Sequence, residues 1–278
     1  MKQWEFEKLK RAVDIRLAIL KANIIFSFKE GSAYVYNNWG GLASTMAYMV
    51  TYLVFLSIIY SRVDNIAGYS YSEMLLFTFV GQLSFYSTWI WSFGNIARMG
   101  QDVNSGKLDL ILSKPLPALW YVTFQKVDLL MFVFQGLPAL LPLLFLMARN
   151  LDFAIRPWGI PLAILTFILG QIAIHCFNFI LGLTVFWTGQ NKSITGLGYK
   201  IMFFGDAIPL EAYPNKIIIL GLTAVPFLSH IALTTSYLLG KTTGLGWLGL
   251  LFVTTIVFVW GKIKLWNLAL RRYSSASS

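Results

Sequence analysis

Long apolar segments are the feature that most restricts how this chain can fold. A helix needs about 20 apolar residues to cross a lipid bilayer, and six segments of the sequence are close to or above that length. They run from about Gly40 to Tyr60, Ser72 to Ala97, Ala118 to Ala148, Gly159 to Trp187, Ile194 to Ile208 and Leu245 to Lys262. Because backbone polar groups inside a bilayer must find their partners within the segment, helices are expected. The sequence therefore predicts an all-α, polytopic membrane protein, with residues 1–278 as a single transmembrane domain.

The composition agrees with a membrane location. Hydrophobic residues make up 57% of the chain and charged residues only 12%, whereas soluble domains contain roughly 25% charged residues. The net charge of +10 could suggest nucleic acid as a partner. However, the lysines and arginines lie at the ends of the apolar segments, as expected for residues that orient a membrane protein. We therefore expect membrane lipid and no nucleic acid among the partners.

The N-terminal segment, residues 3–29, has the pattern of an amphipathic helix. Apolar residues recur every three or four positions, and basic residues such as Arg11, Arg16 and Lys21 lie between them. Such a helix lies in the membrane interface with its basic face toward anionic headgroups. An N-terminal interfacial helix before the first span is therefore predicted.

A polar stretch, residues 98–117, separates the second and third apolar segments. Its second half contains Leu108, Ile111 and Leu112 at helical spacing, so a short helix here would present an apolar ridge. Pro115 and Pro117 must end that helix. A plain loop between two spans would also need polar residues and a helix stop, so the spacing alone leaves both interpretations open.

The order Ser105-Gly-Lys-Leu-Asp109, followed by Leu112 and Lys114-Pro-Leu116, resembles the loop after the second span of ABC-2 type permeases. These are the membrane subunits of one class of ABC exporter. The resemblance implies a cytoplasmic coupling helix that docks in a cleft of a separate ATPase subunit, which would bind ATP and magnesium. The residues implied in this contact are Gly106, Lys107, Leu108, Asp109, Leu112, Lys114, Pro115 and Leu116.

Residues 209–240 do not have the pattern of a plain spanning helix. Gly221 and Pro226 interrupt the apolar run from Lys216 to Gly240, and broken backbone at membrane depth requires cover from protein or water. We expect a re-entrant pair of helices on the outer side, between spans five and six. ABC-2 permeases are similar here, and Tyr213-Pro214 resembles the branch with a Tyr-Pro before the last apolar segments.

Two groups of residues are candidates for the transport pathway. The second span carries many aromatic residues, among them Phe85, Tyr86 and Trp89, which could form a substrate wall or simply pack against lipid and protein. In an exporter, the re-entrant pair would close the outer mouth. The residues nearest that exit would be Tyr213, Pro214, Pro226 and His230.

Ionisable residues inside the spans leave a second function open. Lys126, Asp128, His175 and Asp206 would be ion or proton sites if the chain were an ion-coupled secondary transporter. Lys126 and Asp128 are two residues apart and cannot face each other on a continuous helix, so snorkelling to the interface is expected. His175 is expected to be hydrogen-bonded to a neighbouring helix and not to be a metal ligand, and neither histidine is expected to be catalytic. A membrane assembly protein without transport is a third possibility.

The chain carries no recognisable ATP-binding or catalytic motif. Gly240-Lys-Thr242 lacks the glycine that a P-loop requires five positions earlier, where Thr235 stands. Basic residues concentrate on the side of the N-terminus, which predicts that both termini are cytoplasmic and that the protein is multi-pass in the cell membrane. The predicted function is a non-enzymatic permease subunit without a cofactor of its own. It would form a homodimer, or a heterodimer with a homologous permease.

Overall fold

The computed structural model describes residues 3–33, 35–149, 154–190, 196, 208–226 and 229–273, and these are almost entirely helical. The helices are α1 (Gln3–Ala33), α2 (Val35–Tyr60), α3 (Tyr71–Thr88), α4 (Gly94–Asn104), α5 (Lys107–Leu112), α6 (Ala118–Thr123), α7 (Leu129–Met131), α8 (Leu137–Arg149), α9 (Gly159–Gly182), α10 (Val185–Thr188), α11 (Asn215–Thr223), α12 (His230–Leu239) and α13 (Gly246–Arg272). Wide π turns at Trp89–Phe93 and Phe132–Gly136 join α3 to α4 and α7 to α8.

Four helical stretches of the described chain are long and apolar enough to cross a membrane. They are Tyr36–Tyr60, Leu129–Arg149, Gly159–Thr188 and Gly246–Arg272. The all-α, multi-pass prediction is therefore confirmed, and α1 covers the predicted N-terminal helix. The number of six spans stays a prediction. The second predicted span lies in the helix from Tyr71 to Asn104, which is not among the four, and most residues of the fifth, including Lys200 and Asp206, lie outside the described residues.

The loops gather at the two ends of the helical bundle. The end that we call the Tyr69 end contains residues 61–70, 154–158, 208–214 and 240–245. There the Lys241 ammonium donates to the Gly68 carbonyl (2.8 Å) and lies 3.1 Å from the Glu73 carboxylate. The opposite end, which we call the α5 end, contains residues 104–118, 186–190 and 270–273. There the Asn104 amide donates to the Gly189 carbonyl at 3.0 Å.

The predicted third span is interrupted near its start. Helix α6 ends at Thr123, and the chain is not helical again until α7. Asn95 of α4 stabilises this interruption, because its side-chain amide donates to the Thr123 and Lys126 carbonyls, while its oxygen accepts from the Lys126 amide at 2.7 Å. In the extended stretch, the Lys126 ammonium lies 3.3 Å from the Asp128 carboxylate. The expectation that these two residues cannot pair was wrong, because it assumed a continuous helix.

The segment between Pro209 and Gly240 folds back on itself. Helices α11 and α12 are separated by a break that contains Pro226, as the sequence predicts, whereas Gly221 lies buried inside α11. The Ser236 hydroxyl, near the end of α12, donates to the Glu211 carboxylate, before the start of α11, at 2.7 Å. The two ends of the segment therefore lie together at the Tyr69 end.

Candidate coupling surface and transport pathway

Helix α5 is held at a sharp turn of the chain. Gly106, the residue before the helix, has a φ of 73°, a left-handed conformation that glycine adopts without steric cost. The turn lets α5 fold back against α4. After Ser113 the chain leaves the helix before the two prolines, as predicted. The short helix predicted within residues 98–117 is therefore present, while residues 98–104 form the end of α4.

The apolar ridge predicted on α5 is divided between two faces. Leu108 and Ile111 are buried inside the chain, whereas Leu110 is 64% and Leu112 38% exposed. Leu108 is thus out of reach of a partner subunit, and Leu110, which sequence reasoning did not include in the contact, is the most exposed apolar residue of the helix. The other implied residues are exposed (Lys107, Lys114, Pro115) or half-buried (Gly106, Asp109, Leu116).

The buried face of α5 connects it to the ends of the long helices. Leu108 and Ile111 belong to one apolar cluster with residues of α4, α6, α9, α10 and α13, and the cluster includes Val103, Val122, Phe179, Val185 and Trp266. Close-packed side chains transmit displacement because they leave no space to absorb it. A force applied to the exposed face of α5 would therefore act directly on the ends of α9 and α13.

A buried polar network joins the π turn Trp89–Phe93 to α6, α9 and α13, and no local sequence pattern indicates it. The Lys262 ammonium lies 2.9 Å from the Thr123 hydroxyl and 2.7 Å from Nε2 of His175, and the Ser92 hydroxyl lies 2.8 Å from Nδ1 of the same ring. An ammonium can only donate, so Nε2 accepts and the ring proton is on Nδ1, which donates to Ser92. The sequence does not identify Lys262 as a site residue, because it stands at the end of the last predicted span, where a basic residue is ordinary.

A second network surrounds His230. The Ser84 hydroxyl lies 2.9 Å from Nε2 of His230, and the Pro226 carbonyl lies 3.0 Å from Nδ1. Gln171 of α9 donates to Ser84 at 2.7 Å and accepts from the Thr88 hydroxyl at 2.7 Å. His175 is therefore hydrogen-bonded to neighbouring helices, as predicted, and His230 makes a similar contact with Ser84 of α3. No group of three or more potential metal ligands is found among the residues that were described.

The three pathway candidates of the second span do not all face the same space. Phe85 and Trp89 line a cavity of about 380 Å³, together with polar residues that include Asn37, Lys126 and Asp128. Tyr86 is buried, and its hydroxyl lies 3.5 Å from that of Thr45 on α2. The structure thus brings Phe85 and Trp89, but not Tyr86, together with the ion pair of the interrupted third span.

The candidates of the folded-back segment lie in two separate places, Pro226 and His230 at its break and Tyr213 and Pro214 at its start. Pro226 and His230 are buried and joined by their hydrogen bond, close to the second span through Ser84. Tyr213 is half-buried and Pro214 exposed, and both precede α11. The nine residues of α11 separate them from the break, a helical length of roughly 13 Å.

Comparison with known proteins assigns the family. The family model of the ABC-2 family transporter protein matches residues 46–277, which begin within α2 and include the coupling stretch and the folded-back segment. No curated protein and no solved structure matches the chain. Members of this family are membrane components of transporters, and membership implies partnership with ABC ATPase subunits. The match covers far more than half of the chain, which therefore belongs to the ABC-2 transporter family.

Proposed function

We propose that this chain is the permease subunit of an ABC exporter and that a separate ATPase subunit docks on the exposed face of α5. The observation that carries the proposal is the division of α5 into two faces. Leu110 and Leu112 are exposed beside Lys107, while Leu108 and Ile111 pack in the cluster that contains the ends of α9 and α13. One face is free for a partner, and the other joins the helix to the membrane-spanning part.

The coupling would be mechanical. ATP binding and hydrolysis in the ATPase subunits would displace α5, and the apolar cluster would pass the displacement to α9 and α13. The α5 end would face the cytoplasm, with both chain termini on that side, in the cell membrane. Lys107, Lys114, Arg271 and Arg272 at this end support that orientation. The re-entrant pair α11 and α12 would close the outer mouth at the Tyr69 end.

A complete pathway would need a second permease subunit, either another copy or a homologue. Helix α2 supports this, because only 17% of its most apolar stretch is buried inside the chain, against 50% for the stretch that begins with α9. Its exposed residues include Tyr48, Val54, Phe55 and Ile58. This face would contact the partner permease, lipid or both.

The docking surface can be tested by replacing its exposed apolar side chains with charged ones. The tagged chain is purified from its own membranes, and a copurified subunit is identified by mass spectrometry and by a P-loop in its sequence. Leu110→Asp with Leu112→Asp should release that ATPase and abolish permease-dependent ATP hydrolysis, because a carboxylate in an apolar contact is costly to desolvate. Leu268→Asp is the matched control, since Leu268 is 49% exposed on the last turns of α13.

The outcomes separate the alternatives. Normal ATPase binding and hydrolysis in the Leu110/Leu112 variant would contradict docking on α5. Proton- or sodium-driven flux from a preparation without an ATPase would favour a secondary transporter. Neither an ATPase nor flux would favour a membrane assembly protein.

A further inference from the structure

A second cavity lies in the half of the bundle nearer the α5 end, between the π turn after α3 and helices α6, α9 and α13. Its volume is about 460 Å³, within the range of roughly 300–1,000 Å³ that small-molecule sites occupy. The walls are mainly apolar and aromatic, with Trp91, Trp120, Ile172 and Ile263 among them. Ile263 is 44% exposed on the bundle surface, so the cavity has an apolar rim where lipid chains would lie.

Two cationic side chains line this cavity, and its described lining contains no acidic residue. Arg16 approaches from α1 and Lys262 from α13. Lys262 is only 8% exposed, and within the described part of the chain no carboxylate lies within ion-pair distance of it. Its ammonium has three N–H groups. Two are used on Thr123 and His175, and the ammonium also lies 4.4 Å from the centre of the Phe179 ring, so all its partners are uncharged. A buried cation without an anionic partner is costly inside a membrane, which makes it a candidate for ligand binding.

Lys262 stands at the end of the last predicted span, Leu245 to Lys262, on the side of the α5 end. It lies ten positions before Arg272, the last residue of α13, a helical rise of roughly 15 Å. Trp120 also donates from its indole to the Arg16 carbonyl at 3.3 Å, which fixes the amphipathic helix α1 against the rim. Basic pockets between membrane helices are suited to anionic headgroups.

We propose that this cavity binds one anionic phospholipid from the leaflet at the α5 end. Its phosphate would contact Lys262 and Arg16, and one acyl chain would lie against Trp91, Ile172 and Ile263. The charge of the two residues selects the anionic headgroup, and the apolar walls select a lipid over a free phosphate ion. The site is independent of the docking surface on α5, because lipid binding needs no ATPase subunit.

Native mass spectrometry of the full chain tests the proposal. Purified protein in uncharged detergent is titrated with dioleoyl phosphatidylglycerol or, as the zwitterionic comparison, dioleoyl phosphatidylcholine. One phosphatidylglycerol should remain bound per chain, with clear preference over phosphatidylcholine. Lys262→Met should weaken phosphatidylglycerol binding at least about tenfold and remove the preference. Arg16→Gln, an exposed position on α1, should weaken it about fivefold.

Matched variants distinguish this site from general attraction of lipid to basic surfaces. Lys264→Met on the same helix and Arg11→Gln on α1 lie at exposed positions outside the cavity and should bind like the wild type. Ile172→Trp should weaken binding of both lipids by filling the cavity. Unchanged lipid preference in Arg16→Gln and Lys262→Met, equal losses in the two control variants, or unchanged binding in Ile172→Trp would overturn the proposal. Should Lys262→Met fail to fold, Arg16→Gln and Ile172→Trp decide the question.

Discussion

The Ser236 hydroxyl and the Glu211 carboxylate are joined by a hydrogen bond of 2.7 Å, although α11 and most of α12 lie between them in the sequence. The bond holds the two ends of this pair at the same end of the bundle. A helix that crossed the membrane without turning would separate those ends by the bilayer core, about 30 Å.

Cysteine labelling should therefore find both ends of the pair on the same side of the membrane. Cysteines placed singly at Asn215 and at Thr243, in a background with Cys176 replaced by alanine, should both react with a membrane-impermeant maleimide added outside intact cells. A cysteine at Lys114, at the α5 end, should react only after the membrane is permeabilised. Reaction of Asn215 but not Thr243 would contradict the re-entrant arrangement.

The buried and the exposed face of α5 should contribute very differently to the stability of the chain. Leu108→Ala removes a fully buried side chain and should destabilise the protein by about 2–5 kcal/mol. Leu110→Ala, on the same helix but 64% exposed, should leave the midpoint of thermal unfolding unchanged. Thermal unfolding of the purified chain measures both. An equally large loss in Leu110→Ala would mean that this residue is covered within the chain.

Gly159 should tolerate no side chain. A Cβ at this position would collide with the Tyr237 carbonyl of α12, so Gly159→Ala should force the two helices apart and cost about 1–3 kcal/mol. Gly249→Ala is the control, because a Cβ there meets nothing within 4 Å and alanine favours a helix. Thermal unfolding should show a lower midpoint for the first variant and an unchanged or higher midpoint for the second.

Asn95 should be essential for the interruption between α6 and α7. Asn95→Leu leaves the buried Thr123 carbonyl and the half-buried Lys126 amide and carbonyl without this partner, and a buried unsatisfied group costs about 1–3 kcal/mol. We expect a markedly lower unfolding midpoint than in the wild type. Asn267→Leu, at an exposed position of α13, should have little effect. Equal stability of the two variants would show that the interruption does not depend on Asn95.

Local sequence patterns predicted where helices begin and end better than they predicted which helices pack against one another. Pro226 and Pro115 cannot continue a helix, so the breaks near them were predictable from covalent structure alone. Helical spacing also placed Leu108 and Ile111 on one face of α5. The same spacing could not show that other helices of the chain cover this face, because periodicity carries no information on what lies opposite.

The site residues that sequence reasoning missed depend on contacts between distant parts of the chain. Lys262 and His175 are 87 positions apart and lie 2.7 Å from each other, and no local pattern links them. The interruption at Lys126 contains no proline or glycine, and it follows instead from hydrogen bonds to Asn95, 31 positions earlier. Tertiary contacts of this kind override the local preference for a helix.

The close approach at Gly159 limits how the transporter can change its shape. The start of α9 and the end of α12 are in backbone contact, and the Arg156 amide donates to the Leu238 carbonyl at 2.9 Å. This contact leaves no space for the two helices to slide past each other at this end, so we expect them to move together. Hinges are therefore to be sought where helical hydrogen bonding is interrupted, above all at residues 124–128 and at the break between α11 and α12.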